Sequence, residues 1–392
     1  MKIGIDARFL THPQKGGFKT YTENLIGALA EVDSENAYVL YLDREPDADA
    51  RLPQQSNFST RIVPGNFPVI GMPWREQIDL ARQVARDRLD LFHAPSLSAP
   101  LFPPCPLVVT LHDMIWFFPD RFRHHQSWSA HRQMMEWYYR LVPAYAARHA
   151  AAILTVSHIA KTSILEHLNV DAARIFVTHE AAGKMFQQID DRRAIEMARA
   201  RHHLPAEFIL AIGSADPRKN LETLVRAYAQ LPAELQARLR LVIVWTGSVH
   251  LAELPRQIHA LGLTARVQFL ENISDADLVL LYNAATVFVF PSLCEGFGLP
   301  VLEAMACGTP VIAANNSSLP EVAGDAACLI AAEDVPGFAR AITQVLSDAS
   351  ARAHWIAKGL ARAASFSWTK CARLTLAGYA QATLNYAQER RN

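Results

Sequence analysis

The stretch VFVFPSLCEGFGLPVLEAMACG, residues 287–308, changes its period in the middle. Val287 to Phe290 is an unbroken apolar run of strand length, and Leu299 to Cys307 follows with helical spacing. Pro300 suits an early helical position and Gly308 suits the residue just past a helix end. The reading is strand, glycine turn, short capped helix. Glu295 lies on the turn, and Glu303 lies roughly 6 Å along the axis from the helix start. The helix N-terminus, with the backbone N–H groups of Gly298 and Leu299, favours an anion. A carboxylate on either side of that anion would reach hydroxyl groups. A nucleoside diphosphate sugar has this layout: ribose diol, diphosphate, sugar hydroxyls. The plainer alternative makes Glu295 a surface acid and Glu303 an acid favoured near a helix start.

The same strand–helix rhythm runs along the chain. Strands are expected at Ile3–Asp6, Tyr38–Leu42, Leu91–His93, Leu107–His112 and Ile153–Ser157. Helices are expected at Tyr21–Glu31, Trp74–Arg88, Ser127–Arg148 and Ile159–Leu168. The second half has strands at Phe208–Ile212, Leu241–Trp245, Val267–Leu270, Val287–Pro291, Val311–Ala314 and Cys328–Ile330. Strands alternating with helices predict parallel sheets covered on both faces. A charged stretch without strand pattern, near Gly183–Leu204, separates two such runs. This predicts two doubly wound α/β domains. A helix from Trp368 to Arg391 closes the chain, with Leu374, Leu376, Tyr379 and Leu384 on its apolar face.

Composition agrees with this and narrows the function. At 392 residues, two domains are the better expectation, and 51% hydrophobic against 19% charged residues supports buried cores. The formal net charge of zero gives no sign of nucleic-acid binding. The five cysteines are scattered, with no partner at metal-site spacing, as in a cytoplasmic protein with reduced thiols. The opening MKIGIDARF reads as a strand rather than a signal segment, and no apolar run reaches the about 18 residues of a membrane span.

Ligands of doubly wound sheets bind at the carboxyl ends of the strands. The first strand is followed by Gly16-Gly17 just ahead of a helix. This is either an anion-approach loop or an ordinary glycine turn. It is not G-x-G-x-x-G, so the nicotinamide fingerprint is absent. The strand from Leu107 ends at His112, a hydrogen-bonding or proton-transferring candidate, or else a packed and satisfied histidine. The second domain opens with a strand running into GSADPRKN, residues 213–220, which sets Arg218 and Lys219 beside a helix start. Two adjacent cations there suit a diphosphate, although a solvated basic turn has the same composition.

Two D-x-D triplets resemble metal motifs. Asp275-Ala276-Asp277 follows Ser274 and is explained as a helix start, and Asp47-Ala48-Asp49 lies in a polar loop. No metal is expected. Residues 115–140 mix Trp, Phe and Tyr with Arg and His. They suit either contact with anionic lipid or a lipid-linked acceptor, or simple packing onto the domain.

GSADPRKN (213–220) and FVFPSLCEGFGLPVLEAMACGTPVIAANNSSLPEVAGDAA (288–327) together resemble glycosyltransferase family 4, of the GT-B fold. GGFKTYTENL, WREQ (74–77), LFHAP (91–95) and TLHDMIWFFP (110–119) resemble the N-terminal half of that family, in its bacterial O-antigen and exopolysaccharide mannosyltransferase branch. The resemblance implies two facing Rossmann-like domains with a cleft between them. It implies an acceptor-side domain over 1–185, a linker over 186–204, a nucleotide-sugar domain over 205–366, and a helix over 367–392 crossing back to the first domain.

The same resemblance implies roles. Arg218 and Lys219 match the pair on the donor diphosphate, Glu295 the acid near the transferred sugar, and Glu303 the acid on the ribose diol. The backbone of Phe297, Gly298 and Leu299 matches the diphosphate cradle, and the nucleobase falls near Asn272 and Ile273. Gly16 and Gly17 match the loop facing the donor, and His112 the histidine beside the sugar. The activity implied is transfer of a hexose with retention, without a metal. The expected donor is GDP-mannose, with a UDP-sugar as the alternative. The acceptor would be a saccharide or lipid-linked saccharide, at the cytoplasmic face of the inner membrane. An epimerase or phosphorylase on the same plan, or a binding protein without turnover, remains the other reading.

Overall fold

A computed structural model describes residues 1–11, 16–47, 50–65, 71–117, 130–247 and 253–389. The chain divides into two compact units. The first runs from the N-terminus through Glu180 and takes up the final helix from Trp368, and the second spans Ala181–Ser367. Residues 186–204, expected as a linker, carry the helix Arg192–Arg201 inside the second unit. Its charged, weakly apolar sequence hid it: of the ten residues only Ala198 is buried.

The first unit holds seven parallel strands: β1 (Lys2–Asp6), β2 (Ala37–Leu42), β3 (Phe58–Ile62), β4 (Leu91–Ala94), β5 (Leu107–Leu111), β6 (Ala152–Thr155) and β7 (Ile175–Val177). They lie in the order β3-β2-β1-β4-β5-β6-β7. Central strands such as β4, β5 and β6 are buried along their whole length, which produces continuous apolar runs. The two strands missing from the sequence reading, β3 and β7, are the edges. Four of the five β3 residues are exposed, so FSTRI carries no apolar run.

The expected helix Trp74–Arg88 is a composite. A short turn Gly71–Trp74 leads into a π-helical stretch Arg75–Leu80 and then the helix Ala81–Asp87. The widened turn places Arg75 and Glu76 in the interior, both without exposed surface. Arg75 Nη2 donates to Asp6 Oδ1 at 2.9 Å and its Nε to the Val63 carbonyl at 2.8 Å. Glu76 pairs with Arg8, whose Nη2 also donates to Ser96 and Ser98. Burial would raise the pKa of Asp6, but Arg75 and Arg8 outweigh it and hold the carboxyl below its usual range. Arg75 and Glu76 of the WREQ stretch therefore belong to a buried ionic network tied to the carboxyl end of β1, while Trp74 is exposed.

The final helix, Trp368–Glu389, belongs to the first unit, and residues 390–392 lie outside the described ones. A Cβ at Gly378 would sit 2.8 Å from Leu154 on β6, so the glycine permits close approach. Tyr379 places its hydroxyl 2.7 Å from His93 Nδ1, and His93 Nε2 lies 2.8 Å from Thr110 Oγ1.

The second unit repeats the plan with β8 (Phe208–Gly213), β9 (Arg240–Trp245), β10 (Val267–Glu271), β11 (Val287–Phe290), β12 (Val311–Ala314) and β13 (Cys328–Ile330). All are parallel, in the order β10-β9-β8-β11-β12-β13. The order reverses between β8 and β11. That gap is where doubly wound sheets take ligands.

His93 generates a pH prediction. Burial, and secondly the neighbouring His112, lower its pKa from 6.5 to about 3. Between those values the unfolded chain binds a proton that the folded chain refuses, so stability falls as the pH falls through that window. The expected slope is about 1.4 kcal/mol per pH unit below 6.5. Urea unfolding at pH 7, 6 and 5 should show a shallower decline in His93→Gln than in wild type. Parallel declines would mean the ring is not held neutral.

Candidate functional site

Two loops meet at the gap between β8 and β11. The first starts at Gly213, where a Cβ would fall 2.4 Å from Leu221 Cδ1, so helix Leu221–Ala229 packs directly on the strand end. Asp216 caps the turn Pro217–Lys219 by accepting from Arg218 N at 3.0 Å. Its other oxygen accepts from Arg218 Nε at 2.8 Å and Nη2 at 2.6 Å. Asn220, in the left-handed region at φ 52°, donates to the carbonyls of Pro291 and Ala332. That residue staples the first loop to the second.

The second loop, from Pro291 to Gly298, is held by hydroxyl groups. Ser292 Oγ lies 2.6 Å from Glu295 Oε1 and 2.9 Å from the Arg218 carbonyl, and its single proton serves one at a time. Ser317 Oγ accepts from Glu295 N at 3.1 Å, and Ser318 Oγ lies within reach of the carbonyls of Glu295 and Phe297. Lys219 Nζ donates to Glu295 Oε1 at 2.7 Å and sits 5.1 Å from the centre of the Phe290 ring. The sequence candidates Lys219 and Glu295 are thus in direct contact, although 76 residues apart.

Gly298 turns the chain into the helix Leu299–Ala306 with φ 114° and ψ 43°. A Cβ there would sit 2.7 Å from Leu319 Cδ2. Glu303 lies one turn into this helix and is 8% exposed. Its Oε2 accepts from the Tyr282 hydroxyl at 3.1 Å. Burial, then the charge of Glu303, pushes the Cys307 thiol up to about 12, so this cysteine stays a neutral core group. Ile273 follows β10 and the left-handed Asn272, two strands away from β8.

The D-x-D triplet at 275–277 opens the helix Asp275–Ala284. Ser274 Oγ caps Asp277 N at 3.0 Å, and the Asp277 carboxylate pairs with Arg201 and His202. Of the other triplet only Asp47 is described, and positions 48 and 49 lie outside the described residues. So do residues 118–129 of the aromatic stretch, which include the expected helix start at Ser127.

In the first unit, Gly16 precedes the helix Gly17–Val32, and nothing lies within 4 Å of a Cβ built at either glycine. The first turns of that helix bring Phe18 and Tyr21 edge-on to the His112 ring, at 5.1 and 4.5 Å between centres. His112 Nδ1 lies 3.3 Å from Glu180 Oε1, and Nε2 lies 3.2 Å from the Pro95 carbonyl. Both nitrogens face acceptors of their own unit. Proton transfer by this ring would require breaking one of these contacts.

Sequence reasoning missed Asp216, Ser292, Ser317, Ser318, Tyr282 and Glu180. Ser317 and Ser318 had a signal, the ANNSSLP cluster between a strand and a helix. Glu180 had none, since it follows an edge strand of three residues.

Two parallel sheets with reversed strand order, one bearing a basic loop joined to an acidic loop at its switch point, define the twin-Rossmann plan of the GT-B glycosyltransferases. A family model described as Glycosyltransferase Family 4 matches residues 15–181, and one described as Glycosyl transferases group 1 matches residues 193–362. The chain belongs to glycosyltransferase family 4. It is 37% identical over 233 residues to the serotype-specific mannosyltransferase WbdA of Escherichia coli, covering 59% of this chain and 29% of that protein. It is 37% identical over 234 residues to the O-antigen chain mannosyltransferase B of Escherichia coli, covering 59% of this chain and 60% of that protein. The chain therefore spans less than two thirds of the length of these relatives. A structure of HepE from Anabaena in complex with UDP and glucose shares the fold, with a TM-score of 0.72 and 21% identity over 95% of this chain and 97% of that one.

Gly298→Ala should destabilise the second unit by about 1–3 kcal/mol, through the positive φ and the clash with Leu319. Chemical denaturation measures this. A midpoint equal to wild type would mean that the loop relaxes freely and the helix start is not rigidly placed.

Proposed function

We propose that the chain is a retaining hexosyltransferase that moves mannose from GDP-mannose to a saccharide or lipid-linked saccharide in surface-polysaccharide synthesis. The mannose assignment rests on the identity to Escherichia coli mannosyltransferases. The observation that carries the chemistry is the 2.7 Å contact of Lys219 with Glu295, which joins a diphosphate-binding loop to a sugar-binding loop at the switch point.

Breaking the bond between sugar and phosphate builds negative charge on the diphosphate and positive charge on the sugar. Arg218, Lys219 and the N–H groups of Gly298 and Leu299 would stabilise the diphosphate, cradled by the backbone of Phe297 to Leu299. Glu295 would orient the sugar hydroxyls, Glu303 would take the ribose diol, and the backbone at Ile273 would border the base. The acceptor oxygen attacks the anomeric carbon from the face the phosphate leaves, and the leaving phosphate oxygen takes the acceptor's proton. Retention then needs no protein nucleophile. Glu295 is poorly suited to that part, because Lys219 and Ser292 both engage its Oε1. His112 serves as a fixed polar group of the first unit rather than a proton carrier. No metal enters this scheme.

Incubation with GDP-mannose should release GDP only when a mannose-terminated acceptor is present, and EDTA should not abolish it. Lys219→Ala should lower kcat by about 10²–10³-fold, the loss typical of removing one group that stabilises developing charge. Transfer from UDP-glucose but not GDP-mannose would overturn the donor. Unchanged turnover in Lys219→Ala would remove that residue from the site, and activity lost in EDTA but restored by Mg or Mn would overturn the metal-free scheme.

Contact with a lipid-linked acceptor is supported by the helix Ala130–His149. Met134, Trp137 and Leu141 are exposed at helical spacing on it, with Arg140 5.9 Å from the Trp137 ring. Among the described residues no helix is long and apolar enough to cross a membrane. An aromatic with a flanking cation suits the headgroup region. Co-sedimentation with vesicles containing anionic lipid should drop several-fold in a Trp137→Ala, Leu141→Ala variant. Equal recovery of both proteins would return these side chains to ordinary surface.

A further inference from the structure

We propose that Tyr282 is a positioning residue for Glu303, setting the orientation in which that carboxylate meets the ribose of the donor nucleotide. The inference rests on the reading of Glu303 as the ribose acid. Tyr282 comes from the helix Asp275–Ala284 and Glu303 from the helix Leu299–Ala306, so the contact joins two helices across 21 residues of sequence. The hydroxyl donates to Oε2 at 3.1 Å, and Tyr282 has no exposed surface. A carboxylate at this depth needs donors, because an unpaired buried charge is costly.

The donor itself is rigidly placed. The Tyr282 ring meets Phe288 at 5.3 Å and Phe186 at 5.9 Å between centres, both edge-on. Its carbonyl accepts from Thr309 Oγ1 and from Ala285 N, the latter at 3.2 Å. Backbone and ring are thus fixed independently of the hydroxyl. A phenylalanine would keep those ring contacts and lose only the hydrogen bond. Burial first, and then the charge of Glu303, raises the phenol pKa well above 10, so the hydroxyl stays protonated and donating at neutral pH. Held by Oε2, the carboxylate cannot swing freely about its side chain. A diol that needs one carboxylate orientation then finds it prepared, which lowers the entropic cost of binding.

The test separates ribose recognition from packing. Calorimetric titration of GDP and UDP, each beside its 2′,3′-dideoxy counterpart, is compared in wild type, Tyr282→Phe, Glu303→Gln and the double variant. Melting curves confirm that each variant is folded. Tyr282→Phe should weaken the better-binding ribonucleotide by about ten-fold, the order expected of a hydrogen bond to a charged group, and leave its dideoxy form unchanged. Glu303→Gln should do the same or more, and the double variant should be no worse than Glu303→Gln alone. If Glu303→Gln discriminates the two sugars but Tyr282→Phe does not, Tyr282 is a packing residue and the inference is wrong. If Glu303→Gln weakens ribo and dideoxy forms equally, the ribose assignment of Glu303 falls, and the role of Tyr282 falls with it.

Discussion

The second unit is built around a carboxylate inside a buried helix. In Leu299–Ala306, Val301, Leu302, Ala304 and Met305 are all in the core, and Glu303 sits among them. A helix enclosed on this many sides cannot rotate to rescue a polar group, so its neighbours must supply the hydrogen bonds. Met305 meets the helix Ala349–Ala364 at Gly359, where a Cβ would lie 3.2 Å from Met305 Cγ. The position of the helix start is therefore dictated by packing rather than by the loop before it. The loop has to accommodate: Gly298 takes a backbone conformation that other residues adopt at a cost, and Ser317 and Ser318 engage the N–H of Glu295 and the carbonyls of Glu295 and Phe297, which the tight turn leaves without helix or strand partners.

Fold and site were legible to different depths for physical reasons. The central strands announced themselves because burial on both faces demands unbroken apolar runs, as in Val287–Phe290 and Ile153–Leu154. The edges of the first sheet did not: Phe58–Ile62 has only one neighbour and mostly faces water, and Ile175–Val177 is three residues long, whereas the edges of the second sheet, Val267–Glu271 and Cys328–Ile330, kept enough apolar residues to be read. Arg192–Arg201 escaped notice for the same reason, since a helix that buries one alanine leaves almost no periodic trace. Of the candidate site, the residues at strand ends were readable from position alone: Arg218, Lys219 and Glu295 lie on two joined loops at the switch point, and Glu303 lies one turn into the helix that follows. The residues that hold them were not readable. Tyr282 is one of many buried aromatics in sequence terms, and only the spatial approach of two helices gives its hydroxyl a task.

The WREQ stretch shows how a motif can be recognised for a reason other than chemistry. Arg75 and Glu76 are buried and wholly engaged by Asp6, Arg8 and their neighbours, at the carboxyl end of β1. Each charge depends on the others, because removing one leaves its partner buried and unpaired. Such a network restricts which residues the stretch accepts as firmly as a catalytic role would. The structure thus gives Arg75 and Glu76 of WREQ, a stretch read only as a family resemblance, the part of a structural lock on the first sheet.

The charges of the second unit raise a different coupling. Lys219 and Ser292 both engage Glu295 Oε1, while Arg218 is paired with Asp216. A diphosphate that draws on Lys219 therefore meets an ammonium already partly neutralised by Glu295. Its gain is the difference between two ion pairs rather than the strength of one. The pair is partly buried, so its attraction is less screened than a surface contact would be. Removing Glu295 would strip Lys219 of its partner and strengthen its hold on phosphate, even as the sugar lost a contact. Removing Lys219 would leave a carboxylate facing the diphosphate without its counter-charge. Neither single substitution isolates the diphosphate or the sugar. On the proposed function, the interaction between Lys219 and Glu295 would itself be part of donor recognition, and only the difference between the double variant and the sum of the single variants would measure it.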